Sequence, residues 1–200
     1  MPPLVRRTRL LDAAWPLWVL LALPGGYLTY RYVQGAVFYG EYLHATGELG
    51  ARLLIATLAV TPLRLVFPAA AWTQWLARRR RYLGVAAFGY SALHAIAYLQ
   101  RRPALAAVTA DLGDVAILTG WVALLVMLAL AVTSNDASVR RLRGRWKQLH
   151  RAAYFAAVLT FAHWILSAFD PVPGAIHLGI LAALEAVRVW KTYTRRDARQ

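Results

Sequence analysis

The chain has 200 residues, of which 60% are hydrophobic, and its mean hydropathy is +0.44. This composition is too apolar for a soluble domain of this size and is typical of a polytopic membrane protein. The formal charge of +14 argues little for nucleic-acid binding, because the basic residues fall between apolar runs and not on an amphipathic face. The lack of cysteine excludes disulfides, iron–sulfur clusters and cysteine-ligated metals.

Six hydrophobic segments, taken in chain order, predict six membrane-spanning helices. Four contain no Asp, Glu, Lys or Arg, and the other two carry charges only near their ends. The segments are Ala13–Tyr30, Leu49–Phe67, Tyr82–Gln100, Val115–Asn135, Ala152–Phe169 and Pro173–Trp190. The expected fold is therefore all-α, a helical bundle in a membrane. We expect the first segment to be retained, since no convincing signal-peptidase site follows it.

The basic residues between these segments predict the orientation of the chain in the membrane. If the N-terminus is cytoplasmic, nineteen Lys and Arg residues fall on the cytoplasmic side and four on the other. Cytoplasmic loops of membrane proteins carry an excess of Lys and Arg, so this bias predicts that both termini are cytoplasmic. The four residues assigned to the outer side are Arg31, Arg52, Arg101 and Arg102.

Two histidines are predicted to lie at the same membrane depth. His94 follows Arg81 by 13 residues, and His163 follows His150 by 13 residues, on two helices that both run outward. Thirteen helical residues rise about 20 Å, which places both imidazoles toward the outer leaflet. Two imidazoles that face each other across a bundle can ligate a b-type haem. The alternative is close helix packing, which the small residues near each histidine also permit.

Three further polar residues are candidates for the same chemistry, and a fourth, His177, is not. His150, at the cytoplasmic edge, is predicted either to ligate a second, inner haem or to be an interfacial histidine. His44 precedes the second predicted helix and is either a ligand or proton-coupling group at a quinone pocket or a loop residue. Arg52, one turn into that helix, could bind a propionate or a quinone oxygen. His177 is interpreted as structural or interfacial.

Several short motifs occur in order between residues 40 and 170, and they include four of these histidines. They are His44-Ala45-Thr46-Gly47, Thr61-Pro62-Leu63, Arg80-Arg81-Tyr82-Leu83-Gly84 followed by Leu93-His94, Thr133-Ser134, Gly144-Arg145-Trp146-Lys147-Gln148-Leu149-His150 with Tyr154, and His163-Trp164. In these motifs the chain resembles the MsrQ family. That family comprises haem-binding membrane subunits of periplasmic protein-methionine-sulfoxide reductase systems, within the ferric-reductase-like transmembrane domains.

The resemblance implies a single transmembrane domain over residues 1–200 in a bacterial inner membrane. It implies an electron-transfer subunit that takes electrons from quinol and passes them through haem b to a periplasmic molybdopterin enzyme that repairs oxidised methionine. FMN is implied as a second cofactor, without a residue assigned to it. Carried over by motif, the implied iron ligands are His94, His150 and His163, and His44 falls in a further family motif.

Two other functions remain open from the residues alone. A self-contained transmembrane metalloreductase would use the same haem but would need an inner electron source. A proton-coupled transporter would use membrane histidines as a relay, and it would be expected to show inverted repeats and broken helices. Neither repeats nor broken helices are evident in the sequence, so electron transfer is the leading prediction.

Overall fold

The computed structural model describes residues 14–102 and 104–197. Within these residues it contains nine helices and no strand, which confirms the all-α prediction. In chain order the helices are α1 Trp15–Val33, α2 Tyr39–Val66, α3 Ala71–Gln100, α4 Leu105–Asp111, α5 Val115–Val132, α6 Asp136–Leu142, α7 Gly144–His150, α8 Ala152–Ser167 and α9 Val172–Asp197. The basic N-terminal segment that the charge count places in the cytoplasm, with Arg6, Arg7 and Arg9, lies outside the described residues.

Four of the described helices are long and apolar enough to cross a bilayer: α2, α3, α5 and α9 as far as Thr194. Helix α8 has 16 residues and follows the short helix α7 with one residue, Arg151, between them in the α-helical region. Helix α1 contains Pro24 and two following glycines within its 19 residues.

Two helices begin well before the predicted boundaries. Helix α2 begins at Tyr39, ten residues before Leu49, so His44 is a helical residue and not a loop residue. Arg52 therefore lies in the fourth turn of α2, and the prediction that it lies one turn into the helix is wrong. Helix α3 begins at Ala71, so its four consecutive arginines are also helical. An uncharged run marks only the apolar part of a helix, because the helix itself continues through charged residues near a membrane surface.

A tyrosine from α3 bonds to the backbone of helix α1 beside its internal proline. The hydroxyl of Tyr90 accepts from the backbone N–H of Gly25 at 2.8 Å and donates to the carbonyl of Leu21 at 2.8 Å. These two backbone groups, four residues apart, would bond to each other in a regular α-helix. Pro24 lies between them, and a proline inside a helix weakens the hydrogen bonding of its turn, which favours such a contact. The contact fixes α1 against the centre of the bundle.

The core of the bundle lies between α2 and α3 on one side and α5 and α8 on the other. Helix α9 packs against α2 and α8, and α1 packs against α3 and α2. Small residues allow the helices to approach closely: Ala87 of α3 and Ala156 of α8 are fully buried, together with Leu58 and Phe161. Each of these alanines lies seven residues, about two helical turns, before a histidine on its own helix: Ala87 before His94 and Ala156 before His163.

Candidate functional site

The structure brings His94 of α3 and His163 of α8 together. Their ring centroids are 5.9 Å apart, and the ring planes are inclined at 84°. Both imidazoles line a cavity of about 240 Å³ between α2, α3, α5 and α8. Burying two ionisable rings in the middle of an apolar bundle costs free energy, so their presence indicates a functional role.

Each imidazole is oriented by a hydrogen bond to the backbone of a neighbouring helix. Nδ1 of His94 lies 2.8 Å from the carbonyl oxygen of Leu43 in α2, and Nδ1 of His163 lies 2.7 Å from that of Ala116 in α5. A carbonyl oxygen only accepts, so Nδ1 carries the proton on both rings. Nε2 then keeps its lone pair, which is the state that a metal ligand requires. The carbonyl of Ala116 is itself fixed at the start of α5, because Asp114 accepts a hydrogen bond from the Ala116 N–H.

Two glycines make room for the two rings. A Cβ atom on Gly47 would lie 2.8 Å from Nδ1 of His94, and one on Gly120 would lie 2.7 Å from Nδ1 of His163. Both distances are shorter than real Cβ contacts, so any side chain at either position would displace an imidazole. The site therefore has the same construction twice: a histidine, a backbone carbonyl that orients it and a glycine against its ring.

The remaining cavity wall is mainly apolar and aromatic. It is formed by side chains such as Ile117, Leu124, Met127 and Trp121 of α5 and by Trp164 of α8. Hydroxyl groups of Ser91 and Thr160 also line it, although each donates to a carbonyl of its own helix. Such a wall excludes water and suits a flat, largely apolar ligand.

The residues of this cavity fit a haem. Two imidazoles on opposite sides of one iron, with metal–nitrogen bonds of about 2 Å, have ring centroids about 6 Å apart. The observed separation is 5.9 Å. Both rings are in the tautomer that ligates through Nε2, and the walls between them are apolar.

The structure places His150 elsewhere, at the end of α7. Its Nε2 lies 3.1 Å from the hydroxyl of Thr133, and its ring stacks on Trp146 with 3.9 Å between centroids. The indole of Trp146 also donates to the Thr133 carbonyl. Burial lowers the pKa of His150, and the positive charges of Arg80 and Arg81 lower it further. His150 thus packs on Trp146 and does not line the His94–His163 cavity.

The two other candidates that the sequence indicated, His44 and Arg52, differ in their relation to the cavity. His44 lines the cavity and lies edge-on to Trp164. Arg52 does not line it; its guanidinium binds Glu48 at 2.6 Å and Nε2 of His177 at 3.3 Å. His177 also lies beside Trp164, with 5.0 Å between the ring centroids, and its interpretation as structural or interfacial stays a prediction.

Sequence reasoning missed three residues of the site. No sequence pattern around Gly120 predicts its contact with His163, which lies 43 residues later in the chain. Gly47 stands in the His-Ala-Thr-Gly motif, where its small size could have indicated a close contact. Glu48 lines the cavity four residues after His44, and an i,i+4 pair on one helix face is a readable signal.

Comparisons with known proteins agree with this picture. Residues 46–161 match the family described as ferric reductase like transmembrane component. A relative from Rhizobium meliloti (strain 1021), named protein-methionine-sulfoxide reductase heme-binding subunit MsrQ, is 38% identical over 92% of this chain and 85% of its own. The chain belongs to the MsrQ family.

Other MsrQ relatives are similar over slightly less of the chain. The protein of Rhodospirillum rubrum is 43% identical over 75% of this chain and 73% of its own, and that of Xanthomonas campestris pv. campestris (strain 8004) is 37% identical over 81% and 74%. No solved structure matches the chain. Together with the four long apolar helices, the family identifies a multi-pass membrane protein.

Proposed function

We propose that this chain is a haem b electron-transfer subunit that passes electrons from the quinol pool to a periplasmic molybdopterin methionine-sulfoxide reductase, which repairs oxidised proteins. The names of the MsrQ relatives support haem binding and partnership with a reductase. The resemblance in sequence motifs supports the molybdopterin partner, the quinol donor and a bacterial inner-membrane location.

The observation that carries the proposal is the geometry of His94 and His163. Their 5.9 Å centroid separation and their two hydrogen bonds through Nδ1 suit axial ligation of one iron. When bound there, haem would supply a one-electron redox centre whose potential depends on its ligands, hydrogen bonds and burial. The chain itself then needs no nucleophile or general base for substrate chemistry.

The role of the protein in this proposal is to hold and insulate the centre. The carbonyls of Leu43 and Ala116 orient the ligands and raise their basicity. The glycines beside the rings let the helices close around them, and the aromatic wall keeps water away. These features favour fast, repeated electron transfer with little rearrangement.

Six spans with both termini in the cytoplasm complete the proposal. The distribution of nineteen basic residues against four supports this orientation. It places the His94–His163 cavity toward the periplasmic side, where a soluble reductase can approach, and His150 toward the cytoplasm. His150 is the candidate ligand of a second, inner haem. FMN rests on the family resemblance alone, and we assign no residue to it.

The test is reconstitution of the purified chain in lipid nanodiscs. With quinol as donor and the reductase of the same bacterium as acceptor, we expect reduction of methionine sulfoxide in a test protein. We expect no such reduction when either His94 or His163 is replaced by Ala. Electron transfer to ferric ion without any need for the reductase would favour the metalloreductase alternative, and lack of a haem absorbance would exclude both.

A further inference from the structure

Two titratable side chains line the open end of the cavity and take no part in holding the histidine pair. His44 and Glu48 lie on adjacent turns of α2, with Nε2 of His44 3.9 Å from Oε2 of Glu48. The His44 side chain is 58% exposed and that of Glu48 is 21% exposed. The pair therefore connects the cavity, which both residues line, with the outside.

The carboxylate of Glu48 is held in place by a hydrogen bond from Arg52 to one of its oxygens. Oε1 accepts a hydrogen bond from Arg52 at 2.6 Å, and Arg52 also donates to His177. This leaves Oε2 on the side of His44. Glu48 is thus an oriented acceptor, with one oxygen in an ion pair and the other beside an imidazole.

The pair is also close to the proposed redox centre. Leu43, whose carbonyl binds His94, precedes His44, and Gly47, which contacts the His94 ring, precedes Glu48. A ligand bound by the pair would therefore lie within one helical turn of the contacts to that imidazole. His44, Glu48 and His94 also line one cavity, and such proximity favours electron transfer between the ligand and a group bound to His94.

We propose that His44 and Glu48 form the oxidation site for a hydroquinone and accept its protons. This inference rests on the proposed function, which supplies the oxidised haem iron as electron acceptor. One hydroquinone gives one quinone, two electrons and two protons. The electrons leave one at a time, because one ferric iron accepts a single electron and must pass it to the reductase before it can accept the second. The first hydroxyl proton moves to Oε2 of Glu48 and through Nε2 of His44 to the water outside. The second follows by this route once Glu48 is ionised again.

The acceptor character of Glu48 favours a ligand that carries a hydroxyl group. Oε1 of Glu48 is paired with Arg52, and Oε2 can only accept a hydrogen bond, which a hydroxyl group donates and a carboxylate does not. At the mouth, Trp164 lies edge-on to His44 and offers an aromatic contact for the ring of such a ligand. A general base that is placed within reach of a dissociating hydroxyl typically speeds the reaction by two or more orders of magnitude.

The test compares two reductants of the haem-loaded protein in nanodiscs. A benzoquinol with a decyl tail must release protons, whereas reduced methyl viologen supplies electrons alone. We expect Glu48→Gln and His44→Gln to slow reduction by the quinol at least about tenfold and to leave reduction by viologen and the haem content unchanged. Glu48→Asp should restore part of the rate. Glu41→Gln, on the same helix but exposed and away from the cavity, is the matched control.

A second readout does not depend on turnover. Binding of the oxidised decyl-benzoquinone, followed by quenching of tryptophan fluorescence, should remain in the Glu48→Gln protein, which keeps a polar group at this position. Quinone binding that persists while quinol oxidation is slow would show that Glu48 accepts a proton and is not needed only for binding.

Four results would overturn the inference. Quinol oxidation at the parental rate in either variant would remove the pair from the reaction and leave the proposed function intact. Loss of haem, or slower reduction by viologen, would show that the pair holds the haem. A parent protein that viologen reduces and quinol does not would also remove the quinol donor from the proposed function. A parent protein without haem would end both proposals.

Discussion

The ring centroids of His94 and His163 lie 5.9 Å apart, although α3 packs mainly against α2 and α8 mainly against α5. Each ring is bonded to a third helix, His94 to α2 and His163 to α5. All four helices are therefore needed to orient the two side chains. The same kind of contact occurs twice, although the sequence displays no repeat.

The glycines beside the rings give the first prediction. Gly120→Ala and Gly47→Ala place a methyl group 2.7 and 2.8 Å from Nδ1 of His163 and His94. We expect each to rotate its imidazole and to reduce the low-spin haem signal of the purified protein, measured as the reduced-minus-oxidised spectrum per chain.

The control for this prediction is Gly89→Ala, on the same helix as His94. A Cβ at Gly89 meets no atom within 4 Å, so this change should keep the full signal. It should also raise stability slightly, by up to about 1 kcal/mol, because alanine is the better helix former. Full haem signal in both ring-contact variants would contradict the role given to the glycines.

The hydroxyl of Tyr90 gives the second prediction. Tyr90→Phe leaves the Gly25 N–H and the Leu21 carbonyl without the partner that bridges them. An unsatisfied buried polar group costs about 1–3 kcal/mol, so the unfolding midpoint in detergent should fall measurably. Tyr30→Phe, at an exposed position on α1, should change it little. Equal midpoints for the two variants would mean that the bridge does not stabilise α1.

The third prediction concerns pH and the end of α3. The pKa of Asp111 is lowered by its hydrogen bond from Tyr98 and by that from Arg102. A carboxyl group with a lowered pKa in the folded state stabilises the fold above its unfolded pKa, and that stability is lost as pH falls through the folded value. We expect a small extra loss of thermal stability below about pH 4 that is missing in Asp111→Asn. Parallel pH profiles for the two proteins would refute it.

The fourth prediction separates His150 from the outer site. Because His150 contacts Thr133 and Trp146 and does not line the cavity, His150→Ala should leave the low-spin signal of His94 and His163 intact. A redox titration of the haem spectrum resolves this signal from any second component. Disappearance of the His94–His163 component in this variant would show that the two sites are not independent.

The sequence allowed a large part of the fold and site to be predicted, for identifiable physical reasons. Hydrophobic runs mark helices because lipid demands satisfied backbone groups, so every predicted segment overlaps a helix. Equal spacing from the basic loops led to His94 and His163, since rise per residue converts position into depth. The predicted positions of His44 and Arg52 in the helix are wrong, because α2 continues through the charged Glu48 and begins at Tyr39.

Other features were beyond sequence reasoning. The carbonyls of Leu43 and Ala116 that orient the histidines are backbone groups, which every residue possesses, so no residue type marks them. The bridge of Tyr90 to α1 depends on how two distant helices meet. Such contacts follow from tertiary packing and become visible only in three dimensions.

The most direct test of the account is the haem signal of two single variants. Purified in detergent, the parent protein should show the spectrum of a low-spin haem with two imidazole ligands. His94→Ala and His163→Ala should each lose that component or convert it to a high-spin form, while His177→Gln, outside the pair, should keep it. Full haem content with unchanged spectra in both alanine variants would contradict the assignment of these two residues as axial ligands.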